Sequence, residues 1–202
     1  FRHRVDYLVK VEVNKVFRGT AHPVVARGRV RGVSDYFKRE ADVRLLDVDE
    51  IYGSKLVAAM DRQHPRDLFD VRELLRAGGI TPRMRRAFVI YVAGHNRPIG
   101  ELLTPNPMPL EQAYRNEFVG MTQNDVPLIE LDDARAEIFR LLPSSLDDDE
   151  RAFLLSVKRG EPEWPLLGVT GIEHLPALQW KVRNASASSA YFAVATWRIR
   201  FA

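Results

Sequence analysis

Apolar and polar positions change period near residue 47. Upstream they alternate. In DYLVKVEVNKVF, Tyr7, Val9, Val11 and Val13 share one face, and Leu8, Lys10, Glu12 and Asn14 the other, the period of a strand. Gly19 to Pro23 breaks the run, VVARGRVRGV predicts a second, glycine-interrupted strand, and ADVRLLDV a third that ends at Asp47. Downstream the period is helical. Asp47 or Asp49 is placed to cap a helix over residues 48–62, with Glu50 favouring its positive start, and His64-Pro65 breaks it. A second helix starts near Pro65 and stops at Gly78-Gly79, and a third follows Thr81-Pro82 through RRAFVIYVAGH. RPIGELLTPNPMPL reads as a connector with one helical turn inside it. Helical runs recur near 110–119, 129–142 and 147–158, the last capped by Asp147-Asp148-Asp149. The closing ASASSAYFAVATWRIRFA shifts to small and then aromatic residues, as a final strand or a non-native, frame-altered tail would.

Two charges fall where the helical period asks for apolar side chains. Val48, Ile51, Tyr52, Leu56 and Ala59 form one predicted stripe, and Lys55 lies inside it. Leu68, Val71, Leu74 and Leu75 form the next, and Asp67 lies inside that one. A lysine and an aspartate aimed at a core must find each other or bind something.

Composition narrows the classes. A chain of 202 residues with 46% apolar and 28% charged residues is an ordinary globular sequence, one large domain or two small ones. No apolar run reaches the length of a membrane span and no basic-then-apolar leader opens the chain, so no membrane partner is expected. The absence of cysteine excludes disulfides and thiolate metal sites and fits a cytoplasmic location. Net charge is +3, but residues 1–100 carry 20 Lys+Arg against 12 Asp+Glu, and residues 101–202 carry 10 against 15. A basic half favours an anionic partner such as a nucleotide or RNA, although a solvated surface gives the same skew.

The candidate chemistry gathers around the same stretch. Glu12, between two valines on a strand, is a hard oxygen ligand suited to Mg²⁺, or the polar face of a half-exposed strand. Lys55 follows Tyr52-Gly53-Ser54, a setting suited to phosphate contact, or it snorkels to water. Asp67 is placed to pair with Lys55 or to favour its own helix start. Asp70 lies three residues on, where Arg66 can reach it as an i,i+4 pair. The five histidines show no metal-ligand spacing.

YGSKLVAAMDRQHPRDLFDVRELL, together with AFVIYVAGHNRPIGELL, EFVGMT, RAFLLSVKRGEPEW and LPALQWKVRN, resembles the AbiEii/AbiGii-type toxin family of nucleotidyltransferases over residues 5–184. The resemblance implies an α+β fold, with a partial nucleotidyltransferase-like, polymerase β-type sheet followed by a mostly helical C-terminal region. It divides the chain into a core at 1–80, a helical region at 81–184 and an atypical tail at 185–202. It implies transfer of a nucleotidyl group from a nucleoside triphosphate to RNA such as tRNA, by the toxin of a toxin–antitoxin pair with an antitoxin partner. Position by position it assigns Lys55 to the triphosphate and Asp67 to orienting it or the attacking hydroxyl. Ser54, Arg66 and Asp70 stand beside them as substrate contacts, and Glu12 is assigned to Mg²⁺. The family's glycine-serine and paired-acid motif belongs upstream of the Glu12 strand, where this sequence has only FRHRVDYLVKV. The expectation is therefore a chain lacking the first metal-binding motif, as a fragment, half of a split gene or a degenerate copy. The alternative function is an inactive relic that binds triphosphate, RNA or antitoxin.

Overall fold

The computed structural model describes residues 19–28 and 42–189. The expected first strand, with Glu12, and the aromatic part of the closing segment lie outside the described residues. Within them two strands, β1 (Val25–Gly28) and β2 (Asp42–Leu45), precede a helical region. Its helices are α1 (Val48–Arg62), α2 (Pro65–Arg76), α3 (Pro82–Ala93), α4 (Ile99–Leu103), α5 (Glu111–Glu117), α6 (Leu128–Ser145), α7 (Asp148–Arg159) and α8 (Pro176–Ser189). Two short 3₁₀ turns, Trp164–Leu167 and Ile172–His174, join α7 to α8. The architecture is α+β and mostly helical. β1 and β2 pair antiparallel, with Val25 opposite Leu45 and Gly28 opposite Asp42.

Local chemistry sets the helix ends. The Asp47 carboxylate accepts from Asp49 N at 2.9 Å and caps α1. His64 Nδ1 accepts from Arg66 N at 3.2 Å to cap α2, with Pro65 supplying the preset first turn. Thr81 Oγ1 accepts from Met84 N at 3.1 Å at the start of α3. Asp147 and Glu150 form a reciprocal capping box on α7, which ends at Gly160 in the left-handed region (φ 81°). The helix at Pro176–Ser189 carries into the segment expected to be an atypical tail from residue 185, and its alanines favour that continuation.

The buried face of α1 differs from the predicted stripe. Val48 is exposed and Ile51 and Tyr52 are half-buried, while Glu50, Gly53, Leu56, Val57, Ala59 and Met60 are buried. The reason is Gly53. A Cβ added there would lie 2.6 Å from Ala87 Cβ and 2.8 Å from Phe88 N, so the backbones of α1 and α3 meet at this point. That close approach turns the helix and leaves Lys55 off the buried face. On α2 the predicted stripe holds: Leu68, Val71 and Leu74 are buried, with Asp67 among them. Leu56, Met60, Phe88, Leu102, Leu131, Ile138 and Phe153 belong to one core that joins α1, α3, α4, α6 and α7.

Two polar clamps tie this core to its loops. The fully buried Glu50 accepts from Ala21 N at 2.8 Å, His22 N at 3.0 Å and Tyr91 Oη at 3.0 Å. Gln63, at φ 51° just past α1, donates to Asn106 O at 2.8 Å and accepts from Met108 N at 2.8 Å. Arg135 of α6 donates to Gln63 Oε1 at 3.2 Å and to Met108 O at 2.5 Å, so the proline-rich connector is held from both sides.

Candidate functional site

The break through Gln63 and His64 returns α2 against α1. In that antiparallel arrangement a later residue of α2 faces an earlier residue of α1. Asp70 therefore meets Lys55, whose Nζ donates to Asp70 Oδ2. The two side chains are 37% and 35% exposed. Asp67, one turn earlier, meets Arg62 near the end of α1. Arg62 Nε donates to Asp67 Oδ2 at 3.0 Å and Nη2 to Oδ1 at 2.7 Å, a two-pronged contact on a carboxylate only 11% exposed.

The expected pairings are thereby exchanged. Lys55 pairs with Asp70 and not with Asp67, and Arg62, which the sequence did not single out, takes Asp67. Arg66 does not pair with Asp70 either. It points to Glu117 at 3.8 Å and to His64 Nδ1 at 3.5 Å, and His64 Nε2 lies 3.0 Å from Glu117 Oε2. Ser54 donates its hydroxyl to Ile51 O at 2.8 Å, one turn back on α1, and keeps its oxygen as an acceptor.

Lys55, Ser54, Asp67, Asp70 and Arg66 thus share the neighbourhood of the α1–α2 crossing. The structure divides them into a Lys55–Asp70 pair accessible on both sides and an Arg62–Asp67 pair in which an exposed arginine covers a nearly buried carboxylate. An ammonium on an accessible carboxylate is held in place yet exchangeable, since a phosphate oxygen can replace the carboxylate at little cost in water. Asp67 is fixed by Arg62 and can accept from a ligand only through its remaining lone pairs.

Glu12, the residue assigned to Mg²⁺, lies outside the described residues. Among the described residues no three His, Asp or Glu side chains converge where a metal ion could be held. Asp67 and Asp70 are each spoken for by a cation. The described side chains alone therefore do not fit a metal.

Among the described residues no helix is long and apolar enough to cross a membrane. No curated protein and no solved structure matches the chain. The family model described as nucleotidyl transferase AbiEii toxin, type IV TA system, matches residues 3–184. The lysine helix, the Arg-Asp-x-x-Asp helix packed on it and the helical region beyond, as far as the middle of α8, lie inside that span, and the chain belongs to the AbiEii family of nucleotidyl transferase toxins of type IV toxin–antitoxin systems.

Proposed function

We propose that this chain acts in nucleotidyl transfer from a nucleoside triphosphate to RNA, with tRNA as the acceptor class, and that Lys55 is its triphosphate contact. The observation that carries the reading is the accessible Lys55–Asp70 pair at the crossing of the two helices that bear the family's motif. In this reading the Lys55 ammonium leaves Asp70 for a phosphate oxygen, and Asp70 steadies the empty site. Asp67, locked by Arg62, is the acid assigned to orienting the triphosphate or the acceptor hydroxyl. The Ser54 oxygen and the Arg66 guanidinium flank the ligand. The acceptor oxygen bonds to the α-phosphorus, the bond from that phosphorus to the β-bridging oxygen breaks, pyrophosphate leaves, and the hydroxyl proton passes to solvent or a base.

The test is transfer of labelled nucleotide to tRNA, run with each of the four triphosphates in Mg²⁺, alongside equilibrium binding of the same triphosphates. Lys55→Ala is expected to weaken triphosphate binding by about tenfold, the worth of one charge-assisted hydrogen bond. Binding without transfer, still lost in Lys55→Ala, would favour the alternative of a relic that holds triphosphate, RNA or antitoxin. Unchanged binding in Lys55→Ala would remove the lysine from the site. If Lys55→Met with Asp70→Leu raises stability and leaves binding unchanged, the pair is only structural.

A further inference from the structure

A second feature, at the N-terminal end of α1, has the character of an anion site. A cavity of about 450 Å³ opens between Thr20–Pro23, the start of α3 and the Gly168–Thr170 turn. Its placement follows from Glu50. By accepting both Ala21 N and His22 N, the buried carboxylate fixes the 20–23 segment against α1 and sets His22 in the wall. His22 is only 7% exposed; its Nε2 is closed off from the cavity and meets no hydrogen-bond partner among the described residues, so the ring serves as a packed wall.

The opposite lining of the cavity is cationic. Arg83 and Arg86, three residues apart on one side of α3, both line the cavity. Arg83 is held toward the rim by Asp47 at 3.1 Å and Asp49 at 3.5 Å, which leaves its Nη1 without a carboxylate. Arg86 is exposed and has no side-chain partner among the described residues. Arg85, between them, is turned away onto Asp147 and Glu150 and takes no part. The Thr20 and Thr170 side chains complete the rim.

We propose that this cavity binds a phosphate oxyanion, held by Arg86 and Arg83 against the wall that the Thr20–Pro23 segment provides. A planar guanidinium with free N–H groups suits a tetrahedral oxyanion. Two sources present that chemistry: the phosphodiester of an RNA strand and a free inorganic or nucleoside phosphate. Lys55 lies roughly 12 Å along α1 from Asp47, by the rise of eight helical residues, so the two anion contacts can be read separately.

The test uses the whole chain carrying Lys55→Ala, which silences the proposed triphosphate contact. The probes are inorganic phosphate, a nucleoside triphosphate and a short single-stranded oligoribonucleotide, each titrated by calorimetry. Arg86→Ala is expected to weaken binding by about tenfold, with Arg140→Ala, an exposed arginine on α6, as the unchanged control. Binding of the oligoribonucleotide alone, with a salt slope that drops by about one in Arg86→Ala, identifies a strand phosphate. Binding of inorganic phosphate or triphosphate identifies a free phosphate. The proposal is overturned if none of the probes binds, or if Arg86→Ala and Arg140→Ala lose affinity equally. Arg86→Ala is on the surface, leaves the fold intact and decides the matter alone. Failure of triphosphate transfer leaves this test intact, because it is scored with Lys55 already removed.

Discussion

His95 closes the loop after α3 with its ring: Nδ1 accepts from Arg97 N at 3.2 Å, and Nε2 faces Asp61 Oδ2 at 3.6 Å. Burial holds its pKa below the ordinary value of 6.5; the Asp61 charge pulls the other way, and Lys181 and Arg97 add to the lowering. A second proton would go onto Nδ1 and cancel the bond from Arg97 N. Because the folded pKa lies below the unfolded one, the unfolded chain takes up the proton first. Stability is therefore complete above about pH 6.5 and declines as pH falls from there toward the folded value. His95→Asn, whose side-chain oxygen can take the place of Nδ1, is expected to flatten the urea midpoint between about pH 7 and 5.5 relative to the parent. An equally steep decline in both proteins would assign the proton uptake to another group. At this scale part of the candidate site was legible. Lys55 and Asp67 stood out because charges rarely occupy apolar stripes. Their partners did not, since which acid meets which cation depends on where the Gln63–His64 break returns α2 along α1.

At the scale of elements, the boundaries of α1, α2, α3 and α7 could be read closely from the chain, because their ends carry local signals: Asp47, His64-Pro65, Thr81-Pro82, Asp147 and the closing glycines. The rotation of α1 could not. Val48, Ile51 and Tyr52 satisfy the helical period as well as the true buried face does, and only the packing of Gly53 on Ala87 and Phe88 selects between them. Gly53→Ala isolates that contact. Its new methyl would meet Ala87 Cβ and the Phe88 backbone, neither the flexible tip of a side chain, so the helices must separate. Alanine is the better helix former by about 1 kcal/mol, yet overpacking a helix crossing costs about 1–3 kcal/mol. A net loss of about 1 kcal/mol in denaturant unfolding is expected. A gain in stability would mean that α1 and α3 can part freely, and the account of the rotated face would fail.

At the scale of the whole molecule, the joint between the strand-bearing segment and the helical region rests on Glu50. Its partners lie 28 and 29 residues earlier, at His22 and Ala21, and 41 residues later, at Tyr91. No periodicity links positions so far apart, so the sequence offered Glu50 only as a favourable charge at a helix start. The Tyr91 hydroxyl carries the mark of the clamp: burial first, then the Glu50 charge and their hydrogen bond, push its pKa well above the ordinary tyrosine value. Glu50→Ala would leave two backbone N–H groups and a phenol without their acceptor, at about 1–3 kcal/mol for each group that stays buried. Glu50→Gln keeps the shape but not the function, because its one oxygen cannot serve Ala21 N and His22 N on opposite sides, and its amide presents donors to whichever is left. Both variants should speed hydrogen exchange at Ala21 and His22 far more than in α7, which the clamp does not touch. They should also weaken phosphate binding at the neighbouring cavity, since the same bonds set its Thr20–Pro23 wall. If exchange rises uniformly across the chain, Glu50 serves global stability and not this joint; if exchange at Ala21 and His22 stays slow in Glu50→Gln, the segment is held by something other than the carboxylate.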